Sequence, residues 1–164
     1  MMNNTLQEQK ENLLREVEKL HQRYELSKTL EPDYFEPGMM EYLDQSEGLY
    51  EECTGQMLLR FEARGTRYEG RTEQIEKVTA GDTIQVVRDR ENPFNPNNFT
   101  LLTAKGKNVG NMPAELCNAI APLYDDGNLH FLGASVSYVE PISKRSRHAK
   151  QAVLFVELRM KLDT

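Results

Sequence analysis

The feature that most constrains the fold is a series of short apolar segments separated by turn residues between residues 56 and 161. Most segments alternate apolar and polar side chains, the pattern of a half-buried strand. Glycine turns such as Ala80-Gly81-Asp82 and Lys105-Gly106 lie between them. We therefore expect five or six short strands, which lie at residues 56–63, 83–88, 99–103, 107–112, 129–139 and 151–161.

One helix interrupts these strands. Pro113 suits the first turn of a helix, and Asp126-Gly127 suits its end. The residues predicted to form its buried face are Leu116, Ile120 and Leu123. The last segment, 151–161, alternates imperfectly, so we expect a β-bulge there. The pattern favours a mainly β fold with α-helices: a small barrel of about six strands, similar to OB and SH3 barrels, with one or two helices and one binding face.

An α-helical extension is predicted to precede the barrel. Between residues 5 and 30 one apolar stripe has helical spacing, and Pro32 supplies the stop. The stripe consists of Leu6, Leu13, Val17, Leu20 and Tyr24. It has two interpretations, the seam of a homodimer or a face that packs on the chain's own domain. We favour the second because Lys10 interrupts the heptad, and a homodimer through this helix is the alternative.

Charge is divided unevenly along the 164 residues, which carry 20 Lys and Arg, 26 Asp and Glu and a net charge of −6. Residues 1–54 hold five basic and thirteen acidic residues, and residues 55–164 hold fifteen and thirteen, which gives −8 and +2. This balance excludes non-specific coating of nucleic acid, for which a pI above about 9 is typical. We expect an acidic helical extension at 1–54, with a short helix between 31 and 52, and a barrel domain at 55–164.

Several classes of protein lack support in the sequence. No apolar run reaches the roughly 18 residues of a membrane span, and no secretory signal begins the chain, so we expect a cytoplasmic protein without membrane contact. Cys53, Cys117 and the three histidines show no ligand spacing, so we expect packing cysteines, no metal and no cofactor. No P-loop, GxSxG, HExxH or GxGxxG motif occurs, so no enzyme is predicted, unless a hydrolase site assembles only in three dimensions.

Three motifs carry a resemblance to a known family. Gly65-Thr66-Arg67-Tyr68 is followed by a strand and then by a loop at 88–98 that reads Arg-Asp-Arg-Glu-Asn-Pro-Phe-Asn-Pro-Asn-Asn. Val109-Gly110-Asn111-Met112-Pro113 then leads into the helix. The order and spacing of these motifs resemble the HIRAN domain family over roughly residues 57–162. The resemblance implies an OB-type barrel that holds the 3′ end of single-stranded DNA.

The resemblance also implies roles for individual residues. By position, Arg67 would contact backbone phosphate, and Tyr68 and Phe94 would hold the terminal bases, since aromatic rings stack on any base. Asn95 falls where many members have an aspartate that hydrogen-bonds the terminal 3′ hydroxyl. An amide can accept that bond through its carbonyl oxygen, but it has no charge and also offers a donor.

A second departure from the family pattern follows the proline before the helix, where relatives often have Lys or Arg to hold phosphate. Ala114 and Glu115 occupy these positions here. Basic residues of the hairpin and of the loop before the last strand are candidates to replace that cation: Lys105, Lys107, Lys144, Arg145 and Arg147. The alternative interpretation is that Phe94 plugs the end of the barrel and that Tyr68 is half-buried packing.

Two functions agree with these patterns. The favoured one is a nucleic-acid binding module without catalysis of its own, which recognises single-stranded DNA or its 3′ end. Such a module would be an accessory to DNA repair or processing and would position DNA for a helicase or nuclease partner. The alternative is a protein-interaction or regulatory platform, in which the acidic residues 1–54 dock a partner or shield the barrel.

Overall fold

The computed structural model describes residues 5–30, 39, 41–42, 49–68, 70–142, 145 and 151–163. Its elements are α1 (Leu6–Leu30), β1 (Leu49–Glu51), β2 (Gln56–Glu62), α2 (Arg71–Ile75), β3 (Ile84–Asp89), β4 (Asn98–Thr103), β5 (Asn108–Asn111), α3 (Ala114–Asp125), β6 (Leu129–Glu140) and β7 (Val153–Leu162). The six expected strands and the helix after Pro113 are all present. Of the short helix expected between residues 31 and 52, the structure describes Met39, Glu41 and Tyr42 as helical; the remaining positions from 31 to 48 lie outside the described residues.

The strands form two antiparallel sheets, ordered β1-β2-β7-β6 and β3-β4-β5. Two isolated bridges join them, Arg64↔Asn111 on one side and Thr83↔Ser135 on the other. Six strands therefore lie in a ring in which four neighbouring pairs are ladders and two contacts are single bridges. The predicted mainly β fold is confirmed, and the ring consists of two sheets rather than one continuous ladder.

Strand β7 has apolar residues at successive positions because both of its faces are covered. Residues 153–156 are all buried, and the rings of Tyr24 and Tyr42 pack on Phe155 with centroids 5.8 and 4.9 Å away. A strand covered on both faces reads as a continuous apolar run. The predicted bulge in β7 is wrong, because the two register shifts leave the unpaired residues, Leu132 and Ser137, on β6.

Helix α1 packs on the chain's own strands and helices, as favoured from its stripe. Leu13, Leu20 and Tyr24 are buried in the common core, with Leu6 and Val17 against it. The Tyr24 hydroxyl accepts a hydrogen bond of 2.8 Å from the backbone N–H of Glu62. This bond satisfies a backbone donor at the end of β2 and fixes the position of α1.

The acidity of residues 1–54 does not reside in α1. The helix holds five acidic and all five basic residues of this segment, so the remaining eight acidic residues, and with them the charge of −8, lie in 31–54. The acidic part of the extension therefore follows the helix α1. None of the described helices is long and apolar enough to cross a membrane.

The two cysteines differ in their surroundings. Cys117 is buried in α3, whereas Cys53 is exposed in the turn before β2, so the prediction of a packing role holds for Cys117 alone. Burial raises the pKa of the Cys117 thiol to about 11. Within the described part of the chain, no three His, Cys, Asp or Glu side chains cluster as a metal site would require.

Candidate nucleic-acid interface

The loop between β3 and β4 is held in one conformation by its own side chains. The Asn92 side-chain oxygen accepts hydrogen bonds of 3.0 Å from the backbone N–H groups of both Phe94 and Asn95. Arg88 Nη1 donates to the carbonyls of Pro96 and Asn98 at 2.7 and 3.2 Å. Such asparagine turns fix the loop backbone without burying it, so the direction in which each Cα–Cβ bond of the loop leaves the backbone is fixed as well.

Phe94 is the most exposed large apolar residue in the described part of the chain, at 94%. The alternative in which its ring plugs the end of the barrel is therefore wrong. Tyr68, the second aromatic residue of the predicted site, is 53% exposed. Both rings are accessible, and aromatic faces in this state can stack on a flat ligand such as a base.

An open groove of about 340 Å³ lies beside the Phe94 ring. Its lining consists of Arg64, Asn92, Phe94, Asn95, Asn98, Asn111, Met112, Ala114 and Glu115. Four of these are asparagines, whose amides offer both donors and acceptors. A groove of this kind suits a ligand that presents base edges, hydroxyls or phosphates.

The amides of the groove are fixed by hydrogen bonds to each other, to neighbouring side chains and to the loop backbone. Asn98 is buried, and its Nδ2 donates to Asn111 Oδ1 at 3.1 Å and to Asp89 Oδ2 at 3.3 Å. Asn95 Nδ2 donates to Asn118 Oδ1 at 3.0 Å, while Asn95 Oδ1 accepts from the backbone N–H of Asn97 at 3.0 Å. The orientation of the Asn95 carbonyl is thereby set before any ligand arrives.

The turn that carries Arg67 and Tyr68 lies at the Asn111 side of this groove. A Cβ placed on Gly65 would lie 3.4 Å from Asn111 Nδ2 and 3.7 Å from Tyr68 Cδ2, so the two side chains flank this glycine. The Arg67 guanidinium lies 5.0 Å from the Tyr68 ring centroid, and its Nη2 donates to the Tyr68 hydroxyl at 2.9 Å. Cation and ring form one exposed unit.

The other predicted cations are divided between two places. Lys105 and Lys107 follow the far end of β4, which begins in the groove at Asn98, so about 17 Å of strand separates them from it. Arg145 Nη1 donates to the carbonyl of Gln151 at 2.7 Å. The next residue, Ala152, accepts a hydrogen bond from Thr66 Oγ1, which brings this connection beside the Arg67 turn. Lys144 and Arg147 lie outside the described residues.

One charged group of the groove, Arg64, and the ion-pair partner of another, Glu115, were missed from the sequence. Arg64 is exposed and lines the groove, where it follows β2 and bridges to Asn111. Glu115 accepts a hydrogen bond of 3.0 Å from Arg23 of α1. Partial burial acts to raise the pKa of Glu115, but the bonds from its own backbone N–H and from Arg23 outweigh this and hold the pKa below its ordinary value. The one sequence feature that could have identified Arg64 is its position directly before the Gly65–Tyr68 motif.

The chain is similar to several solved structures. No curated protein matches the sequence significantly. Similar solved structures include the HIRAN domain of human HLTF, at 21% identity over 63% of this chain and 76% of that chain with a TM-score of 0.46. A protein from Lactobacillus plantarum matches at 15% identity over 64% and 98%, with a TM-score of 0.47. The HLTF HIRAN domain in its DNA-bound conformation matches at 19% identity over 65% and 75%, with a TM-score of 0.43.

A family model also matches the chain. The model of the HIRAN domain covers residues 57–155, which is 99 of the 164 residues. This range includes the Gly65–Tyr68 turn, the loop of Phe94 and the step from β5 into α3. The chain therefore belongs to the HIRAN domain family.

Proposed function

We propose that this protein binds single-stranded DNA at its 3′ end, without catalysis of its own, as an accessory to DNA repair or processing. The observation that carries the proposal is the Phe94 ring, 94% exposed on a rigid loop beside a polar groove. A ring on such a loop stacks on a base without the loss of conformational entropy that ordering a flexible loop would require. Stacking contributes about 1–3 kcal/mol per base and does not depend on base identity.

Cations around the groove fit the phosphates of a short strand. Arg64 lines the groove and Arg67 lies in the turn beside it, with Tyr68 as a second ring. A site with so few cations neutralises only a few phosphates, so affinity should fall with salt less steeply than for a protein that coats DNA. The net charge of −6 is compatible with such a local contact.

Recognition of the 3′ end is assigned to Asn95. Its Oδ1 accepts one hydrogen bond from Asn97, and a carbonyl oxygen has a second lone pair for a terminal hydroxyl. Its Nδ2 is held by Asn118, so the carbonyl need not reorient. The HLTF HIRAN domain has been solved in a DNA-bound conformation, which makes DNA the first ligand to test for another member of the family.

A second candidate function is a protein-interaction platform, and the acidic segment 31–54 favours it. Eight acidic and no basic residues in this segment would attract a basic partner protein. In the DNA-binding function, by contrast, a helicase or nuclease partner would act on the DNA that this chain holds. The first candidate function requires that the chain bind DNA in the absence of a partner protein, whereas the second does not.

Fluorescence anisotropy with labelled single strands of about ten nucleotides distinguishes them, with salt varied because phosphate contacts are salt-dependent. One strand carries a free 3′ hydroxyl, a second carries a 3′ phosphate, and a blunt duplex is the third ligand. We expect the free 3′ end to bind most tightly. Equal binding of both single strands would refute end recognition, and no binding at low salt would refute the DNA-binding function.

A further inference from the structure

Helix α1 reaches the groove from outside the family match, which begins at residue 57. Arg23 Nη1 lies 3.0 Å from Glu115 Oε1, with side chains 45% and 40% exposed. The position of Arg23 is set by the burial of Leu20 and Tyr24, its neighbours on the apolar stripe. Arg23 is thus the point at which the N-terminal helix meets the lining of the groove.

The charge of the groove depends on this contact. Among the described residues that line it, the charged ones are Arg64 and Glu115, whose charges cancel. Glu115 is ionised at neutral pH, as an ordinary glutamate is. A phosphate that entered the groove would meet this carboxylate at short range, where like charges repel most strongly. With Arg23 included, the sum of the three charges becomes positive.

We propose that α1 is a working part of the nucleic-acid interface, in which Arg23 neutralises Glu115 and so allows a backbone phosphate to approach this end of the groove. The inference rests on the proposed function of DNA binding. Arg23 acts here as a positioning residue through Glu115. At this edge the N-terminal segment contributes a cation, in contrast to the shielding role considered for residues 1–54.

A double-mutant cycle of Arg23 and Glu115 tests the proposal. Binding of the intact chain to a 3′-hydroxyl single strand is measured by fluorescence anisotropy at low salt. We expect Arg23→Gln to weaken binding about three- to tenfold, since an unscreened carboxylate remains beside the phosphate path. Glu115→Gln should bind more tightly than the wild type, because the carboxylate that repels the phosphate is removed. The double variant should return to within about twofold of Glu115→Gln, and Arg23→Lys should keep its affinity.

Lys19→Gln is the matched control. It removes one positive charge from the same helix, at a side chain that pairs with Glu16 at 3.5 Å rather than with the groove, and it should leave binding unchanged. Far-UV circular dichroism of each variant verifies that α1 remains folded.

The inference is overturned if Arg23→Gln binds like the wild type, or if the double variant stays as weak as Arg23→Gln. A loss of affinity in Lys19→Gln equal to that in Arg23→Gln would also overturn it, because the effect would then be one of net charge. Failure of the wild type to bind any single strand is a different result, which removes the proposed function itself.

Discussion

Arg88 and Asp125 form a forked ion pair, with Arg88 Nε 3.1 Å from Asp125 Oδ1 and Arg88 Nη2 3.0 Å from Asp125 Oδ2. The Arg88 side chain is only 10% exposed. The pair joins the end of β3 to the end of α3, and the same guanidinium holds two carbonyls of the loop that carries Phe94. The backbone conformation of the loop that carries Phe94 therefore depends on a contact outside the groove.

Arg88→Lys should lower the free energy of unfolding by about 1–3 kcal/mol, because an ammonium cannot make the forked bond and reach the loop carbonyls together. Urea unfolding measures the change. Arg90→Lys is the matched control: Arg90 also contacts Asp125, at 2.8 Å, but its side chain is 61% exposed, so its effect should stay within about 0.5 kcal/mol. Equal midpoints for the wild type and Arg88→Lys would contradict the structural role of the fork.

Asp125 should make stability depend on pH in the acid range. The hydrogen bonds from Arg88, followed by the charges of Arg88 and Arg90, hold the pKa of this carboxyl below its ordinary value of 3.8. The folded chain then binds the proton less readily than the unfolded chain, so the stabilisation is present above about pH 4 and is lost as pH falls through the folded-state pKa.

Urea unfolding of the wild type and Asp125→Asn at pH 6 and pH 3 tests this dependence. The wild type should be the more stable protein at pH 6, and the difference in unfolding free energy should be smaller at pH 3. A difference of the same size at both values of pH would show that the charge of Asp125 does not contribute.

Phe94→Ala should separate binding from stability. Loss of one stacked ring should weaken single-strand binding by about 1–3 kcal/mol, roughly five- to 150-fold. The unfolding midpoint should not move, since the ring buries almost no surface. Leu132→Ala, which removes a 56% exposed side chain from β6, is the control that should bind normally. Equal affinity of Phe94→Ala and the wild type would remove Phe94 from the interface.

Gly110→Ala should disrupt the bridge between the two sheets. Gly110 has φ of 132°, and an added Cβ would lie 2.6 Å from the Arg64 carbonyl oxygen, which accepts the Asn111 N–H. We expect a loss of about 2 kcal/mol or more in unfolding free energy. Gly133→Ala, with no atom within 4 Å of its added Cβ and no positive φ, is the control. The strain argument is wrong if the two variants unfold at the same urea concentration.

Among the described residues, sequence patterns predicted every helix and strand of six or more residues, because such elements contain enough side chains to show a period. They missed β1, of three residues, and α2, of five. β1 exists because it pairs with β2, and α2 begins at Gly70 with φ of 75°. Pairing and single glycine conformations of this kind leave no periodic signal.

Sequence patterns identified site residues that lie in short contiguous motifs, and they missed a contact between residues far apart in the sequence. The motifs of the turn and loop point to Tyr68 and Phe94, whose exposure the structure gives. Arg23 and Glu115 are 92 positions apart, and no spacing rule joins them. Lys105 was predicted as a cation that replaces the phosphate contact missing after Pro113, but it follows the end of β4 that lies away from the groove.

The bridge between Arg64 and Asn111 has a consequence for how a ligand and the fold affect each other. Arg64 continues a strand of the first sheet, whereas Asn98, Asn111 and the loop of Phe94 belong to the second. The groove thus lies across a seam at which the backbones of the two sheets pair through a single bridge. A ligand that contacts residues of both sheets binds only while the sheets are paired at this bridge. Its binding therefore stabilises the contact between the two sheets.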